Sequence, residues 1–481
     1  MKSSHSYLHL KSDLYTEEQP IPISDPKLFL VNHRLMNSLG LDAMDHNVLT
    51  QTFSGNRLPQ QFKSVTLAYA GHQFGHFVPL LGDGRAHLIT ELTDLEGQVW
   101  DIQLKGSGQT AYSRNGDGRY ALGPAIREFI MSEAMLALGV PTTQSLSVIT
   151  SSEQVVRQQP QPGAVLTRVA ASHIRVGTFQ YAAARGDKEM LKQLSDHSIQ
   201  RHFPELAQRE NPYLSLLEEV IKKQVTLIVE WMRVGLIHGV MNTDNTLICG
   251  DTIDYGPCAM LGVYDPQTAY SSIDRHGRYA YVNQPLIAQW NMARFAECLL
   301  PLIADDEQQA IAMVEPLIAD FKDLYEQQWQ QMMLHKTGLD LATENNQKLI
   351  QDLLLIMEQK RLDYTLTFHQ LTESLVSDQQ NQIIKQQLGD WLQQWRQHLA
   401  IGESHDVQHI YQRMRQANPV VIPRNHHIEA VIQQCLESQS PDAAKGFLKV
   451  LQQPYEQQET THHYQDLPTD GDAYYQTFCG T

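Results

Sequence analysis

The chain has 481 residues, of which 42% are hydrophobic, so it carries enough apolar material for a large core and is not wholly disordered. Lys and Arg number 37 against 54 Asp and Glu, a formal net charge of −17 that argues against nucleic acid or an anionic membrane as partner. Five cysteines exclude a disulfide scaffold, and no apolar run approaches the ~20 residues that span a bilayer. The first residues contain no apolar segment of the signal-peptide kind, so we expect a cytoplasmic protein, and we expect a monomer.

Composition divides the chain into five parts. Residues 1–65 carry several prolines and predict an N-terminal extension with one or two helices. Residues 66–180 are rich in glycine and strand-forming residues, and residues 181–300 mix helices with short strands. Residues 301–455 are rich in Gln with apolar residues at helical spacing, as in 349–371, which predicts a packed helical region. Residues 456–481 lose this pattern and predict a mobile tail.

The first chemistry-bearing segment is a predicted hairpin. Ala86–Leu92 and Val99–Lys105 have strand composition, and a turn at Asp94–Gly97 separates them. Lys105 ends the second strand. A lysine at such a position is most often a solvated charge, and its significance depends on what lies near it.

A glycine turn precedes this hairpin. Gly82 and Gly84 allow backbone N–H groups to approach a phosphate closely, and Arg85 adds a cation. Taken alone, the pattern is weak evidence, because it is more often that of an ordinary tight turn.

A predicted helix follows within residues 118–140. Pro124 suits its first turn and Gly139 its end. Glu128 and Glu133 lie inside it, and either one is a candidate partner for Lys105. In protein kinases a strand lysine binds phosphates and is held by a helix glutamate, and the same order of glycine turn, lysine and glutamate occurs here.

The most specific pattern follows a long amphipathic helix predicted at 214–236. In kinases a metal-binding Asn comes seven residues after the His of the catalytic loop, and His238 and Asn245 have this spacing. An apolar strand predicted at 246–249 leads to Asp254-Tyr255-Gly256, which stands where kinases have Asp-Phe-Gly. Asn245 and Asp254 are therefore candidate ligands for Mg²⁺. Together these landmarks predict an α+β, bilobal protein-kinase-like fold with a large helical C-terminal extension.

One kinase residue is missing. Kinases carry the proton-accepting Asp two residues after the His, and this chain has Val240 there. Asp244 is the nearest candidate base, although a carboxylate at this position could also serve only to orient the loop.

The same segments resemble the selenoprotein O family of kinase-like proteins. The similar stretches are YAGHQFGHFVPLLGDGRAHL (69–88), DIQLKGSGQTAYSRNGDGRYALGPAIREF (101–129), HGVMNTDN (238–245) and IDYGP (253–257). The resemblance implies transfer of AMP, or of UMP, from ATP or UTP to Ser, Thr or Tyr hydroxyls of proteins, with Mg²⁺ or Mn²⁺ and release of pyrophosphate. It also implies that ATP lies flipped relative to kinases, with its α-phosphate at the acceptor.

The resemblance extends to individual residues. It implies nucleotide contacts by Gly82, Gly84, Arg85, Asp117 and Gly118, and phosphate contacts by Lys105 (paired with Glu128), Arg168 and Arg175. It also implies that Asp244 accepts the proton and that Asn245 and Asp254 hold the metal. Asp117, Arg168 and Arg175 depend on the resemblance alone.

Three other readings of the sequence stay open or are disfavoured. A phosphotransferase and a catalytically silent nucleotide-binding scaffold are the functional alternatives. A zinc site at His72 and His76 is disfavoured, because Gln73 replaces the zincin Glu and two glycines make the segment a poor helix.

The family resemblance also implies redox control through a cysteine near the C-terminus. Cys479 is the third residue from the end, and Cys258 is the cysteine nearest to the activation segment. The stretch 264–278, where the family's usual partner lies, contains no cysteine, so either Cys258 substitutes or this switch is absent.

Overall fold

A computed structural model describes residues 2–157, 160–399 and 407–478 of the chain. It is an α+β protein with about half of its residues in helices and 16% in strands. The prediction of an α+β chain with a helical C-terminal part is confirmed. Among the described residues, no helix combines the length and hydropathy needed to cross a bilayer.

The strands form mainly one antiparallel sheet. Among the described residues they are β1 (Lys2–Ser4), β2 (Tyr15–Glu17), β3 (Lys27–Val31), β4 (Val65–Leu67), β5 (Gly71–Gln73), β6 (His76–Val78), β7 (Ala86–Thr93), β8 (Val99–Lys105), β9 (Tyr120–Ala121), β10 (Gln144–Val156), β11 (Pro160–Ala170), β12 (Leu236–Ile237) and β13 (Ala259–Met260). The large sheet has the order β2-β4-β7-β8-β11-β10-β3, with β1 beside β7 and β9 beside β11. The pairs β5–β6 and β12–β13 are separate.

The helices follow the sheet, apart from three that lie within its part of the chain. They are α1 (His33–Ser38), α2 (His46–Phe53), α3 (Leu122–Ala137), α4 (Val176–Ala184), α5 (Lys188–His202), α6 (Pro212–Val234), α7 (Gln284–Ile303), α8 (Glu307–Thr337), α9 (Glu344–Gln359), α10 (Tyr364–Glu373), α11 (Asp378–Leu388), α12 (Asp390–His398), α13 (Val407–Ala417), α14 (Asn425–Ser438), α15 (Asp442–Leu451) and α16 (Thr461–Gln465).

Strand alternation gives the sheet two different faces. On β8, Ile102 and Leu104 belong to the core on the side of α1 and α2. Gln103 and Lys105 alternate with them and therefore point to the other side, where α3 packs against β10 and β11. In register, Arg168 of β11 is opposite Gln103, so its side chain joins the same face. Three polar side chains from adjacent strands thus reach the α3 side of the sheet.

The helix α3 delivers a carboxylate to this face. It starts after Ala121, carries Pro124 in its first turn and ends before Gly139, whose φ of 81° favours glycine. Most of its residues are buried, among them Glu128 at 2% exposure. The helix therefore brings an acidic group into contact with the sheet.

The long helix α6 leads into the loop 238–258. Asn211 caps its N-terminus by accepting from the N–H of Leu214, and Gly235 ends it with a φ of 77°. The strands β12 and β13 pair with each other immediately before and after the loop 238–258. This pairing closes the base of the loop.

The first 65 residues contain more structure than the sequence predicts. Besides α1 and α2, they supply β1, β2 and β3 to the large sheet. These strands have three to five residues, which is too short for an alternation pattern to stand out in the sequence.

The helical region is confirmed, with one break. The periodic stretch 349–371 is divided between α9 and α10, because Arg361 has a φ of 53° and interrupts the helix. Asp363 then caps α10 by accepting from the N–H of Leu366.

The described part of the predicted tail, residues 456–478, makes contacts with the rest of the protein. The Tyr475 hydroxyl accepts a hydrogen bond from Arg127 at 2.8 Å, and the Thr477 hydroxyl donates to the Pro257 carbonyl at 2.7 Å. Polar contacts of this kind have no periodicity and are invisible in the sequence.

The predicted redox pair is described only in part. Cys258 is fully buried, its thiol donates to the Tyr255 carbonyl at 3.1 Å, and burial raises its pKa to about 12. Cys479 lies outside the described residues, so the link between the two stays a prediction.

Candidate active site

A cavity of about 380 Å³ opens between the α3 side of the sheet and the loop 238–258. Every residue predicted from the sequence lines it except Glu128, which lies directly behind Lys105. The predicted residues among those that line it are Gly82, Gly84, Arg85, Lys105, Asp117, Gly118, Arg168, Arg175, Asp244, Asn245 and Asp254. Residues separated by up to 172 positions in the chain are thus brought to one cleft.

Lys105 and Arg168 share two carboxylates at the inner end of the cavity. Lys105 Nζ donates to Glu128 Oε2 at 2.7 Å and to Asp254 Oδ1 at 2.8 Å. Arg168 Nη2 donates to Glu128 Oε1 at 2.5 Å and to Asp254 Oδ1 at 2.6 Å. Burial alone would raise the pKa of Glu128, but Arg168 and Lys105 outweigh it and hold the pKa below its usual value. Glu128, rather than Glu133, is the helix residue that contacts Lys105.

Arg175 adds a third buried cation. Its Nη1 lies 3.5 Å from Asp254 Oδ2, its Nη2 lies 3.7 Å from Asp83 Oδ1, and its guanidinium stands over the Tyr69 ring at 4.4 Å. Nη1 also donates to the Asp244 backbone carbonyl at 2.8 Å. The ring and the carbonyl fix the guanidinium in place.

Asp254 reaches these cations from an unusual backbone conformation. Its φ of 62° lies in the left-handed region, which Asp and Asn tolerate better than other non-glycine residues. Burial would raise the pKa of its carboxyl, but Arg168, Lys105 and Arg175 together hold it well below its usual value. Asp254 is therefore an anion at the point where the three cations converge.

Asp244 occupies a different environment within the same cavity. It is 7% exposed, and burial raises the pKa of its carboxyl to about 6. Gly71 of β5 passes so close that a Cβ there would lie 2.3 Å from Asp244 Oδ1, so only glycine fits. Val240, which replaces the kinase base, also lines the cavity. A carboxylate that gains and loses a proton near neutral pH suits proton transfer.

Asn245 lies beside Asp244 at the cavity wall. Its Nδ2 donates to the Val240 carbonyl at 3.0 Å, which leaves the amide oxygen available to a ligand. The oxygen donors of Asn245 and Asp254 are of the type that Mg²⁺ and Mn²⁺ prefer. The two side chains thus fit a hard divalent cation.

A steric constraint explains why the turn before β7 has glycine at position 82. Gly82 has a φ of 73°, and a Cβ there would lie 2.2 Å from the Tyr112 ring. Arg85, two residues beyond Asp83, places its guanidinium 4.7 Å from the centre of the Tyr120 ring at the cavity wall. The turn brings backbone and a cation to the rim.

Asp117 and Gly118 form another part of the rim. Both Asp117 carboxylate oxygens accept from Arg157, at 2.8 and 2.9 Å. Gly118 has a φ of 67°, and a Cβ there would lie 2.1 Å from the Gly108 carbonyl carbon. The close contact between these two loops therefore requires glycine at position 118.

Comparison with known proteins shows the family of the chain. Residues 2–455 match the family model described as protein adenylyltransferase SelO. The chain belongs to the SelO family. It is 52% identical over its full length to the protein nucleotidyltransferase YdiU of Teredinibacter turnerae, of which it covers 100%. It is also 49% identical to YdiU of Anoxybacillus flavithermus, with 99% of this chain and 98% of that protein covered, and 48% identical to YdiU of Halalkalibacterium halodurans, with 99% and 96% covered. The family resemblance predicted from the sequence is confirmed.

Two local predictions about this SelO chain need correction or comment. The strand predicted at 246–249 is wrong, because Leu247 forms only an isolated bridge with Arg175 before the chain turns at Gly250. His238 is buried, stacks on Trp231 and bonds the Ile253 carbonyl at 2.8 Å, so it holds the loop rather than facing the cavity.

The disfavoured zinc pair does not form a ligand group among the described residues. His72 and His76 lie on opposite strands of the β5–β6 hairpin, turned at Phe74 and Gly75 with positive φ. His72 Nδ1 is instead bonded to the side-chain amide of Gln180 at 2.7 Å.

Sequence reasoning missed several residues that shape the cavity. They are Tyr69, Asp83, Gln103, Tyr120 and Arg157. Of these residues, only Asp83 has a signal in the sequence, which is its position between Gly82 and Gly84. Its carboxylate is buried, which is unusual for a carboxylate in a glycine turn.

Proposed function

We propose that this chain transfers AMP from ATP, or UMP from UTP, to Ser, Thr or Tyr hydroxyls of other proteins. Membership in the SelO family supports nucleotidyl transfer to proteins. The observation that carries the proposal is the convergence of three buried cations on Asp254, with the carboxylate of Asp244 in the same cavity. This arrangement suits a polyphosphate at the inner end and an acceptor hydroxyl beside Asp244.

Lys105, Arg168 and Arg175 are proposed to bind the β- and γ-phosphates. Guanidinium groups bind phosphate through paired, charge-assisted hydrogen bonds, and these two are already oriented by Glu128 and Tyr69. Such a placement puts the triphosphate end inward and the α-phosphate toward Asp244, which agrees with the flipped nucleotide that the family resemblance implies.

The rim is proposed to hold the rest of the nucleotide. Gly82 and Gly84 offer close backbone approach, Arg85 offers a cation, and Asp117 and Gly118 also line the cavity. The rim residues are proposed as nucleotide contacts on the basis of this placement and of the family resemblance.

The proposed reaction breaks a phosphoanhydride bond of the nucleotide and forms a phosphoester bond to the acceptor. The acceptor oxygen attacks the α-phosphorus, the bond from that phosphorus to the bridging oxygen of the β-phosphate breaks, and pyrophosphate leaves. Asp244 accepts the hydroxyl proton, for which its raised pKa suits it. Lys105 and the two arginines stabilise the charge that accumulates on the departing pyrophosphate.

Asn245 and Asp254 are proposed to hold Mg²⁺ or Mn²⁺. Their oxygen atoms would hold the ion, and the ion would supply positive charge that neutralises part of the charge of the phosphates.

The architecture supports a bilobal kinase-like arrangement. The sheet with α3 supplies Lys105 and Glu128, as the smaller lobe of a kinase does, and the loop after α6 supplies Asn245 and Asp254, as the larger lobe does. We propose the two lobes at about 66–180 and 181–300, with 301–455 as a helical extension, in a monomeric cytoplasmic protein.

Mass spectrometry of the products tests this function. The chain is incubated with Mg²⁺, an acceptor protein mixture and either ATP or UTP, and modified peptides are mapped. The proposal predicts adducts of AMP or UMP on Ser, Thr or Tyr and pyrophosphate in equal amount. Phosphorylated peptides with ADP as product would contradict it in favour of a kinase, and unmodified protein with bound nucleotide would favour a silent scaffold.

A further inference from the structure

A second group of potential ligands lies outside the cavity, between α14 and α16. His426 and His427 are in the first turn of α14, and Asp466 directly follows α16. One ligand atom from each of these residues lies within 4.8 Å of the others, and among the described residues this is the one such His, Cys, Asp or Glu group. The three come from segments about 40 residues apart, so the fold rather than local sequence assembles them.

The distances allow one ion to contact all three side chains. Asp466 Oδ1 lies 2.5 Å from His427 Nε2 and 3.5 Å from His426 Nε2, so one carboxylate oxygen faces both rings. Both ring nitrogens of His426 are buried, and neither has a hydrogen-bond partner among the described residues. A buried imidazole nitrogen without a partner is costly unless something else satisfies it.

The surroundings are partly apolar. The His427 ring packs 5.1 Å from Tyr464 and 6.2 Å from Phe447, measured between ring centres. A further imidazole comes from α16, because the ring centre of His463 lies 5.4 Å from that of His427. An apolar shell on one side and exposed Asp466 on the other resemble the surroundings of many structural metal sites.

We propose that His426, His427 and Asp466 bind a divalent transition metal of the Zn²⁺ type. Two imidazole nitrogens and a carboxylate oxygen are a ligand set that Zn²⁺ accepts with tetrahedral geometry, with water or His463 in the fourth position. Mg²⁺ and Ca²⁺ require mostly oxygen ligands and do not suit this group.

The metal would fasten the C-terminal segment to the body of the protein. Asn425, the residue before His426, exchanges hydrogen bonds with Met260 of β13 and also donates to Asp472 at 3.1 Å. Further along, Thr477 bonds the Pro257 carbonyl, which is three residues after Asp254. A metal on α14 and α16 would hold this segment in place near the active-site loop, and this inference does not depend on the proposed function.

Zinc binding to the full-length chain tests the proposal. The metal-stripped protein is titrated with Zn²⁺ by calorimetry, in excess Mg²⁺ so that the oxygen-donor site at Asp254 is saturated, and Co²⁺ spectra report the geometry. The variants are His426→Ala and Asp466→Asn. The matched control is His462→Ala, because His462 lies on α16, which ends directly before Asp466, but contacts the Gln457 side chain instead. Circular dichroism checks that each variant is folded.

We expect one Zn²⁺ per chain in the unmodified protein and in the control. Removing a residue that hydrogen-bonds to a metal ligand weakens the metal affinity by about 10–100-fold. Removing a ligand itself, as in either variant, should therefore weaken the Zn²⁺ affinity by about 100-fold or more. Zn²⁺ should also slow proteolysis of residues 456–478 in the unmodified protein and the control only. No zinc uptake by the unmodified chain, or equal affinity in His426→Ala, Asp466→Asn and the control, would overturn the proposal.

Discussion

The buried carboxylate of Glu128 offers the sharpest test of the cluster. It accepts from Lys105 at 2.7 Å, from Arg168 at 2.5 and 3.1 Å, and from the Tyr120 hydroxyl at 3.1 Å. Glu128→Gln keeps the shape but removes the charge, so Lys105 and Arg168 each lose one of their two anionic partners and keep only Asp254. Breaking a buried pair costs about 3–5 kcal/mol. Even about 2 kcal/mol of this at the transition state would slow transfer roughly 30-fold.

Glu133 on the same helix is the matched control. It is buried too, but its one ion pair is a 3.5 Å contact with Arg34, and its Oε1 has no partner among the described residues. Burial raises the pKa of Glu133 above its usual value, so the ionised form destabilises the fold at neutral pH. Glu133→Gln should therefore leave transfer unchanged and maintain or raise thermal stability near neutral pH. This advantage should shrink as the pH falls through the raised pKa of folded Glu133, and it should be absent below about 4, where the glutamate is protonated in the unfolded chain as well.

Both variants are assayed for nucleotidyl transfer under saturating nucleotide and Mg²⁺, with thermal unfolding measured across pH. Slow transfer in Glu128→Gln with normal transfer in Glu133→Gln is the expected result. Equal activity of Glu128→Gln and the unmodified chain, or a larger loss in Glu133→Gln, would refute the assignment of Glu128 as the partner of Lys105.

Four further predictions follow from single residues. Asp254→Asn keeps a residue that tolerates the φ of 62° but removes the charge. Nucleotidyl transfer should therefore fall at least about 100-fold at saturating Mg²⁺, while the circular dichroism spectrum stays unchanged. Normal transfer would contradict the assignment of Asp254 as a metal ligand. Asp244→Asn should lose transfer but retain nucleotide affinity in calorimetry, and retention of both would exclude Asp244 as the base. Gly71→Ala should impair transfer because its Cβ would lie 2.3 Å from Asp244 Oδ1, whereas Gly446→Ala in open space within α15 should have no effect on the assay. Lys105→Glu should lose far more activity than Lys105→Arg, and equal losses would argue against a phosphate-binding cation.

The sequence predicts the parts of the site that are local. The hairpin β7–β8 and the helix α3 have strong periodicity, so Lys105 and Glu128 could be placed on neighbouring elements from sequence alone. The spacing of His238, Asn245 and Asp254 similarly predicts the loop that carries Asn245 and Asp254, because protein kinases have the same pattern.

The remaining residues depend on contacts that no local pattern encodes. Arg168 bonds Glu128 and Asp254, which are 40 and 86 positions away, and so it was placed in the site only by family resemblance. Strand register decides that its side chain shares a face with Gln103, and a shift by one residue would point it into the opposite core. The grouping of His426 with Asp466 is likewise a product of tertiary packing.

The origin of the transferred group tests the central claim most directly. The chain is incubated with Mg²⁺, acceptor protein and ATP labelled at either the α- or the γ-phosphate, with Asp254→Asn as the inactive control. Nucleotidyl transfer predicts that label from the α-phosphate becomes covalently attached to protein, that label from the γ-phosphate is recovered in pyrophosphate, and that the control transfers neither. Attachment of label from the γ-phosphate alone, or of no label, would contradict the account.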